Sequence, residues 1–314
     1  MPSDLDTLAF NSSRNNSWNE ELLTFFIIYR PWEIAFCSSL LTFGFIANLM
    51  LLVAQWKDPL HCFGNISTCF IQHIAVIDCL GLLVSSPVLF SAIKNNRPFY
   101  VGSNHGKQFK PFMLLVTVLT NLGFTSFAVE RFLSVAKPFF HKVYLTKQRV
   151  RVSFGVMWIF ALICVLIDQC LHQKTQDEPF LSYVVETSVF LPCLATTVSL
   201  YLACYVSIKR QQRQFQQGHM SDVTRNSLNV KLSHEKRFLT TLFIAGSVTV
   251  LLWMPAFIIL LPLRLQENMS NAFYRLYLIL IPCMAAMYAS VNPIIYNLRL
   301  PKYRKTFQKL YCCF

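Results

Sequence analysis

The chain has 314 residues, 54% of them hydrophobic and only 14% charged, with a formal net charge of +13. A soluble globular domain carries about 25% charged residues, so a water-facing fold is excluded for most of the length. The Lys and Arg residues sit in short stretches between long apolar runs, unlike the basic folded surfaces of nucleic-acid binders, so nucleic acid is not expected as a partner.

An N-terminal tail is expected over 1–31; its first 24 residues are polar, with Asp4, Asp6, Glu20 and Glu21. They lack the basic start and short apolar core of a cleavable signal peptide, so the first apolar run is expected to act as a signal anchor. The tail carries N-x-S sequons at Asn11 and Asn15, which are glycosylation candidates if this end is extracellular. A bilayer-crossing helix needs roughly 20 mostly apolar residues. Seven runs meet that need, at 32–56, 67–93, 109–135, 150–171, 182–208, 237–262 and 272–298. Apart from a polar segment from Lys209 to Lys236 the joining loops are short, which predicts an all-α antiparallel bundle of seven transmembrane helices.

With the N-terminus outside, 19 of the 28 Lys and Arg residues fall on the cytoplasmic side. That bias obeys the positive-inside rule and predicts a multi-pass plasma-membrane protein with an extracellular N-terminus. It leaves the third sequon, Asn65, on the cytoplasmic side and unmodified. Eleven cysteines lie mostly inside apolar runs with no zinc-ligand spacing, so no disulfide framework is expected.

An ionisable group near the bilayer centre costs on insertion scales about 2.5–3.5 kcal/mol and therefore faces the bundle interior. Asp78, in the second span, is the clearest such group; Asn48, Thr120, Asn121, Thr249 and Asn292 are further polar groups within spans. Interhelical hydrogen bonds, common in any membrane bundle, are the simpler account of the uncharged ones, ahead of a switching role. Glu130 and Arg131 close the third span, and Glu235 precedes the sixth. Two readings stand here: an interfacial pair reaching for water, or an Arg131–Glu235 contact that holds the bundle shut and opens a cytoplasmic cleft on separation. Pro255 and Pro293 each remove a helical hydrogen bond and predict hinges in the sixth and seventh spans. Trp253 lies two residues before Pro255, placed to couple a ligand to the first hinge.

Over essentially its whole length the chain resembles the rhodopsin-like G-protein-coupled receptors. The resemblance rests on Asn48, on Asp78, on Glu130-Arg131-Phe132 as a variant of E/D-R-Y, and on Trp158. It continues with Leu252-Trp253-Met254-Pro255 as a variant of C-W-x-P and with the full N-P-x-x-Y of Asn292-Pro293-Ile294-Ile295-Tyr296. It implies that Arg131, Tyr205 and Tyr296 rearrange to admit a heterotrimeric G protein. It also implies an allosteric sodium ion near Asp78, Asn48, Thr120 and Asn292, with no other cofactor. Residues 299–314 look like a short amphipathic eighth helix, apolar at Leu300, Tyr303, Phe307, Leu310 and Tyr311, lying on membrane lipid. Cys312 and Cys313 beside it are palmitoylation candidates.

The chain departs from the family in several places. Gly106 stands where a third-helix cysteine is usual and 172–181 contains none, so the disulfide of the second extracellular loop is not expected. Tyr205 lies 13 residues after Pro192, further than the usual spacing. Features shared with the melanocortin, cannabinoid and lysolipid branch stand beside others resembling prostanoid receptors. Met113 replaces the ammonium-binding Asp of amine receptors and Ala286 the retinal lysine of opsins, which argues against both ligands. Lys94, Arg97, Lys107, Lys110, Arg264 and Arg275 give the outer side a basic rim; it suits either an anionic ligand or mere solvation. The ligand itself is not legible. The expected function is G-protein activation by an extracellular ligand, with a non-signalling scavenging receptor as the alternative. A transporter would favour inverted repeats or broken helices, which are not seen, and no catalytic constellation marks an enzyme.

Overall fold

The computed structural model describes residues 31–94, 104–174, 179–217 and 271–311, together with positions 230, 233, 235–241, 243–244, 246–248 and 251. Side chains are described for most but not all of these residues. The elements are helices throughout the described residues: α1 (Pro31–Lys57), α2 (Ile66–Lys94), α3 (Asn104–Ala136), α4 (Pro138–Tyr144), α5 (Lys147–Lys174), α6 (Pro179–Gln217), α7 (Asn271–Arg299) and α8 (Pro301–Tyr311). Helical positions from 237 to 251 fall in the expected sixth span, and 230, 233, 235 and 236 lie just before its start.

Among the described residues, stretches of α1, α2, α3, α5 and α6 are long and apolar enough to cross a membrane. The pattern of exposure is that of a bilayer solvent. Val152, Val156, Ile159, Leu166 and Leu202 point outward, while Asn48, Asp78, Thr120, Glu130, Arg131 and Asn292 are buried. Such an apolar outer face would be an aggregation liability in water, and helices satisfy every backbone group without water's help. The chain is an all-α membrane bundle.

Helix neighbours follow the sequence: α1 packs on α2, α2 on α3, α3 on α5 and α6, and α7 returns to pack on α1 and α2. The inner half of the bundle is filled by Leu51, Phe70, Ile71, Ile74, Phe127 and Tyr296, with the Phe70 and Phe127 rings stacked at 5.4 Å. A second cluster around Ile77, Leu114, Val118 and Ala161 fills the space between α2, α3 and α5. At Gly44 the helix α1 lies close against α7 and α2. An added Cβ there would lie 2.5 Å from Ser290 Oγ and 3.2 Å from Leu82 Cδ1.

Two elements differ from the expected outline. α6 runs on to Gln217 instead of ending near 208. Its extension, KRQQRQFQQ, is polar but rich in helix formers, so the helix outlasts the hydrophobic run that hydropathy detects. Gln211 Nε2 in this extension donates to Val135 O at 2.8 Å and ties it to the end of α3. The short α4 was not expected; Pro138 at its first position supplies a pre-set φ and lacks only an N–H the helix start leaves unpaired anyway.

The first loop is held by its own side chains. Asp58 and His61 take positive φ values of 33° and 47°, and the Asp58 carboxylate accepts from the N–H groups of Cys62 (2.8 Å) and Phe63 (3.1 Å). Asn65 caps α2 by accepting from the Thr68 N–H at 3.2 Å. α8 lies against this loop and α1, with Leu300, Tyr303 and Thr306 buried. Gln55 Nε2 donates to the Tyr303 hydroxyl at 3.2 Å, Lys309 Nζ to Pro59 O at 3.1 Å, and the Tyr311 hydroxyl to Met50 O at 2.9 Å. Burial pushes the Tyr303 phenol up and holds the Lys302 ammonium below its ordinary range.

Cys37, buried in α1, is disulfide-bonded. This corrects the expectation that the chain carries no disulfide. A cysteine inside an apolar run has the composition of a buried thiol, and only tertiary proximity distinguishes the bonded one. Among the described residues Cys62, Cys69, Cys79, Cys164, Cys170, Cys193 and Cys204 are free.

Candidate activation site

The C-terminal end of α3 places Glu130 and Arg131 in the bundle interior, where each is nearly inaccessible to solvent. A buried charge is tolerated only when paired and hydrogen-bonded, and this one is paired several times. Arg131 Nη2 donates to Glu130 Oε1 and to Ser67 Oγ of α2, and the Ser67 hydroxyl donates to Glu130 Oε1 at 3.4 Å. His141 Nε2 of α4 lies 2.9 Å from the same carboxylate oxygen. On the other side Arg131 Nη1 meets Glu235 Oε2 at 3.5 Å, and its guanidinium lies 4.7 Å over the Phe238 ring. The structure thus brings Glu130, Arg131 and Glu235 together and closes the inner end between α3 and the sixth span.

Ser67, His141 and Phe238 were missed by sequence reasoning. They come from three other elements and carry no motif of their own. A signal existed for Phe238, three residues after Glu235 and so on the same helical face.

Tyr205 is not in this network. It is 55% exposed, whereas Tyr201 is 7% exposed, and the inward stripe of α6 reads Tyr201, Cys204, Ile208 at i, i+3, i+7. Tyr205 falls just outside the stripe, so its expected place is taken by Tyr201, whose ring approaches Gly246 of the sixth span. Tyr296 of α7 is buried near it. Both hydroxyls are buried without a hydrogen-bond partner.

Higher in the bundle, Asn292 Nδ2 donates to Asp78 Oδ2 at 3.0 Å. A cavity of about 40 Å³ beside Asp78 is lined by Thr120, Thr117, Ser85 and Tyr288, among others. Tyr288 interacts with Asp78, Thr120 and Asn292; sequence reasoning had not singled it out. Asn48 does not line the cavity. Its amide donates to Gly44 O (3.0 Å) and Ala289 O (2.8 Å), bridging α1 to α7 and leaving Oδ1 buried without a partner. Asn121 is satisfied within its own helix, donating to Thr117 O at 2.9 Å. Trp158 Nε1 donates to His73 Nε2 at 3.2 Å, joining α5 to α2. Pro293 lies within the continuous helix α7. Trp253, Pro255 and Thr249, the sequons Asn11 and Asn15, and Cys312 and Cys313 lie outside the described residues.

A multi-pass helical bundle with buried polar groups at its core and an ion-paired inner mouth has the layout of a membrane receptor. The family model described as 7 transmembrane receptor (rhodopsin family) matches residues 47–296, and the chain belongs to that family. Its members are signalling receptors and not enzymes. Neuromedin-U receptor 1 of Rattus norvegicus is 24% identical over 275 residues, covering 76% of this chain and 64% of that protein. Melanocortin receptor 5 of Rattus norvegicus is 22% identical over 209 residues, with 64% and 59% covered. The alpha-1A adrenergic receptor of Oryzias latipes is 24% identical over 317 residues, with 85% and 64% covered. The matches thus span somewhat less than two thirds of these relatives' own lengths. No subfamily follows from identities this low.

Proposed function

We propose that the chain is a plasma-membrane G-protein-coupled receptor of seven transmembrane helices and an amphipathic eighth, with its N-terminus extracellular. The observation that carries this reading is the Arg131–Glu235 contact at 3.5 Å across the mouth where a G protein would enter. An extracellular ligand favours the open arrangement by binding it more tightly than the closed one; the sixth span then leaves α3, Arg131 is released, and the G-protein alpha subunit engages the cleft. Pro255 and Pro293 serve as hinges and Trp253 couples the ligand to the first. Asn11 and Asn15 carry glycans, and Cys312 and Cys313 carry palmitate that holds α8 on membrane lipid. The three relatives are named for unlike ligands, so no ligand is carried over. Nucleotide exchange measured in nanodiscs across all alpha-subunit classes tests the proposal. Exchange in at least one class that disappears with Arg131→Ala supports it; basal and agonist-screened silence in every class favours the scavenging receptor instead.

Tyr201 takes the role first expected of Tyr205, beside Tyr296. A buried hydroxyl without a partner is destabilising by about 1–3 kcal/mol, so an opening that gives the pair partners favours the open state. Tyr201→Phe is therefore expected to lower agonist-stimulated or basal exchange by about tenfold, while Tyr205→Phe changes it less than twofold. Equal effects of the two variants would refute the assignment.

The oxygen-only donors beside Asp78 and the small cavity suit one hard cation. Asp78 and Thr120, which line the cavity, would hold sodium; Asn292 would fix the Asp78 carboxylate through its amide N–H, and Asn48 stands outside the set. Bound, the ion would supply a counter-charge to Asp78. Replacing N-methylglucamine by sodium at constant ionic strength is expected to lower basal exchange of the native chain and to leave Asp78→Asn unchanged. Equal sodium sensitivity of both proteins would remove the ion from the mechanism.

A further inference from the structure

A cleft of about 460 Å³ opens between the sixth span, the end of α7 and the start of α8. Its size falls in the range of small-molecule sites. Lys236 and Arg237 line it from the sixth span, Arg299 and Arg304 from α7 and α8, with the Thr240 hydroxyl between them. All four cations have exposed side chains, and no carboxylate lines the cleft. Among the described residues none of the four makes an ion pair. Glu235, the neighbouring acid, is turned toward Arg131 instead.

We propose that this cleft binds the phosphorylated headgroup of an anionic lipid of the inner leaflet. Three of the four cations are guanidinium groups, whose planar donor fork fits phosphate oxygens in pairs. Four positive charges around one opening call for a headgroup with more than one phosphate. The lipid source follows from Leu298, which lines the same cleft and is 68% exposed. It stands one residue before Arg299 at the end of a membrane helix, so the cleft has an apolar wall on its bilayer side. Basic pockets between transmembrane helices on the cytoplasmic side suit phosphoinositide headgroups on the same physical grounds.

The site bridges two parts that separate in the proposed opening. A headgroup held by Lys236 and Arg237 on one side and by Arg299 and Arg304 on the other pins the sixth span against α8. The lipid is therefore a brake on activation; this consequence, unlike the binding itself, rests on the proposed function.

Native mass spectrometry of the full chain from nanodiscs tests the binding without any signalling readout. The probes are phosphatidylinositol bisphosphate, phosphatidylserine at matched total charge, and soluble inositol trisphosphate. The expected result is retained bisphosphate lipid, at least tenfold less retention in Arg299→Gln/Arg304→Gln, and no loss in the charge-matched control Lys142→Gln/Lys147→Gln. If the double variant melts early, Arg299→Lys/Arg304→Lys keeps the charge and is expected to retain less than the native chain, because lysine lacks the fork. Equal retention of phosphatidylserine, or equal loss in the control, would overturn the site as a specific one. Binding of inositol trisphosphate as tightly as the lipid would overturn the lipid assignment in favour of a free phosphate ester. Basal exchange read in parallel should fall when the bisphosphate lipid is added; retained lipid with unchanged exchange would overturn the brake while leaving the site.

Discussion

Glu235→Ala is expected to raise ligand-independent nucleotide exchange by about fivefold. The Arg131–Glu235 contact is long at 3.5 Å, and the Glu235 side chain is 29% exposed, so its contribution is that of a partly solvated pair, about 1 kcal/mol. A shift of that size in a two-state equilibrium is about fivefold in population. The Glu130 and Ser67 bonds to Arg131 remain in the variant, so Arg131 does not become an unpaired buried charge, and the protein should still fold. Removing Arg131 has the opposite outcome, because it deletes the group the open state presents to the G protein. Exchange assayed at equal surface expression separates the cases: a rise with Glu235→Ala beside loss with Arg131→Ala is the expected pair of results. An unchanged basal rate in Glu235→Ala would mean that the contact does not hold the closed state.

The second large effect is on stability. Gly44→Ala places a methyl group 2.5 Å from Ser290 Oγ, with Leu82 Cδ1 at 3.2 Å and Ala286 O at 3.5 Å. The Ser290 hydroxyl donates to Ala286 O of its own helix at 2.6 Å and approaches Leu40 O of α1 at 3.4 Å, so swinging it aside gives up one bond within α7 and one contact that joins α7 to α1. Overpacking of this kind destabilises by about 1–3 kcal/mol. The purified Gly44→Ala protein is expected to melt several degrees lower, and Gly44→Leu to fail to reach the cell surface. Adding Ser290→Ala to Gly44→Ala removes the closest atom and should recover most of the loss. A double variant as unstable as the sum of the two single ones would show that the close approach is not where the strain lies.

Much of the architecture was legible in the sequence because a bilayer imposes one simple demand, a long apolar helix. The described helices α1, α2 and α7 begin and end within a residue or two of the apolar runs that forecast them. The α6 extension was hidden because polarity marks where the membrane ends and not where the helix ends. At the inner mouth, Glu130, Arg131 and Glu235 could be named in advance, since charges beside apolar runs are conspicuous. Ser67 and His141 could not, because an ordinary serine and histidine gain meaning only when α2 and α4 bring them to the Glu130 carboxylate. Tyr205 follows from the family resemblance and not from helical spacing. The stripe Tyr201, Cys204, Ile208 was readable by helical spacing, and following it would have selected Tyr201. Tyr288 escaped notice because an aromatic residue in an apolar helix reads as packing until its hydroxyl is seen beside Asp78.

The central claim is that the inner end of the bundle opens between α3 and the sixth span to admit a G protein. The most direct measurement is the distance between genetically encoded spin labels at the exposed residues Val143 and Val230. It is taken in nanodiscs with and without nucleotide-free G protein of the class found to respond. The account predicts a single short distance for the isolated receptor, a second longer distance with G protein, and a larger share of the longer one in Glu235→Ala. Nucleotide exchange with one unchanged distance under all three conditions would contradict it.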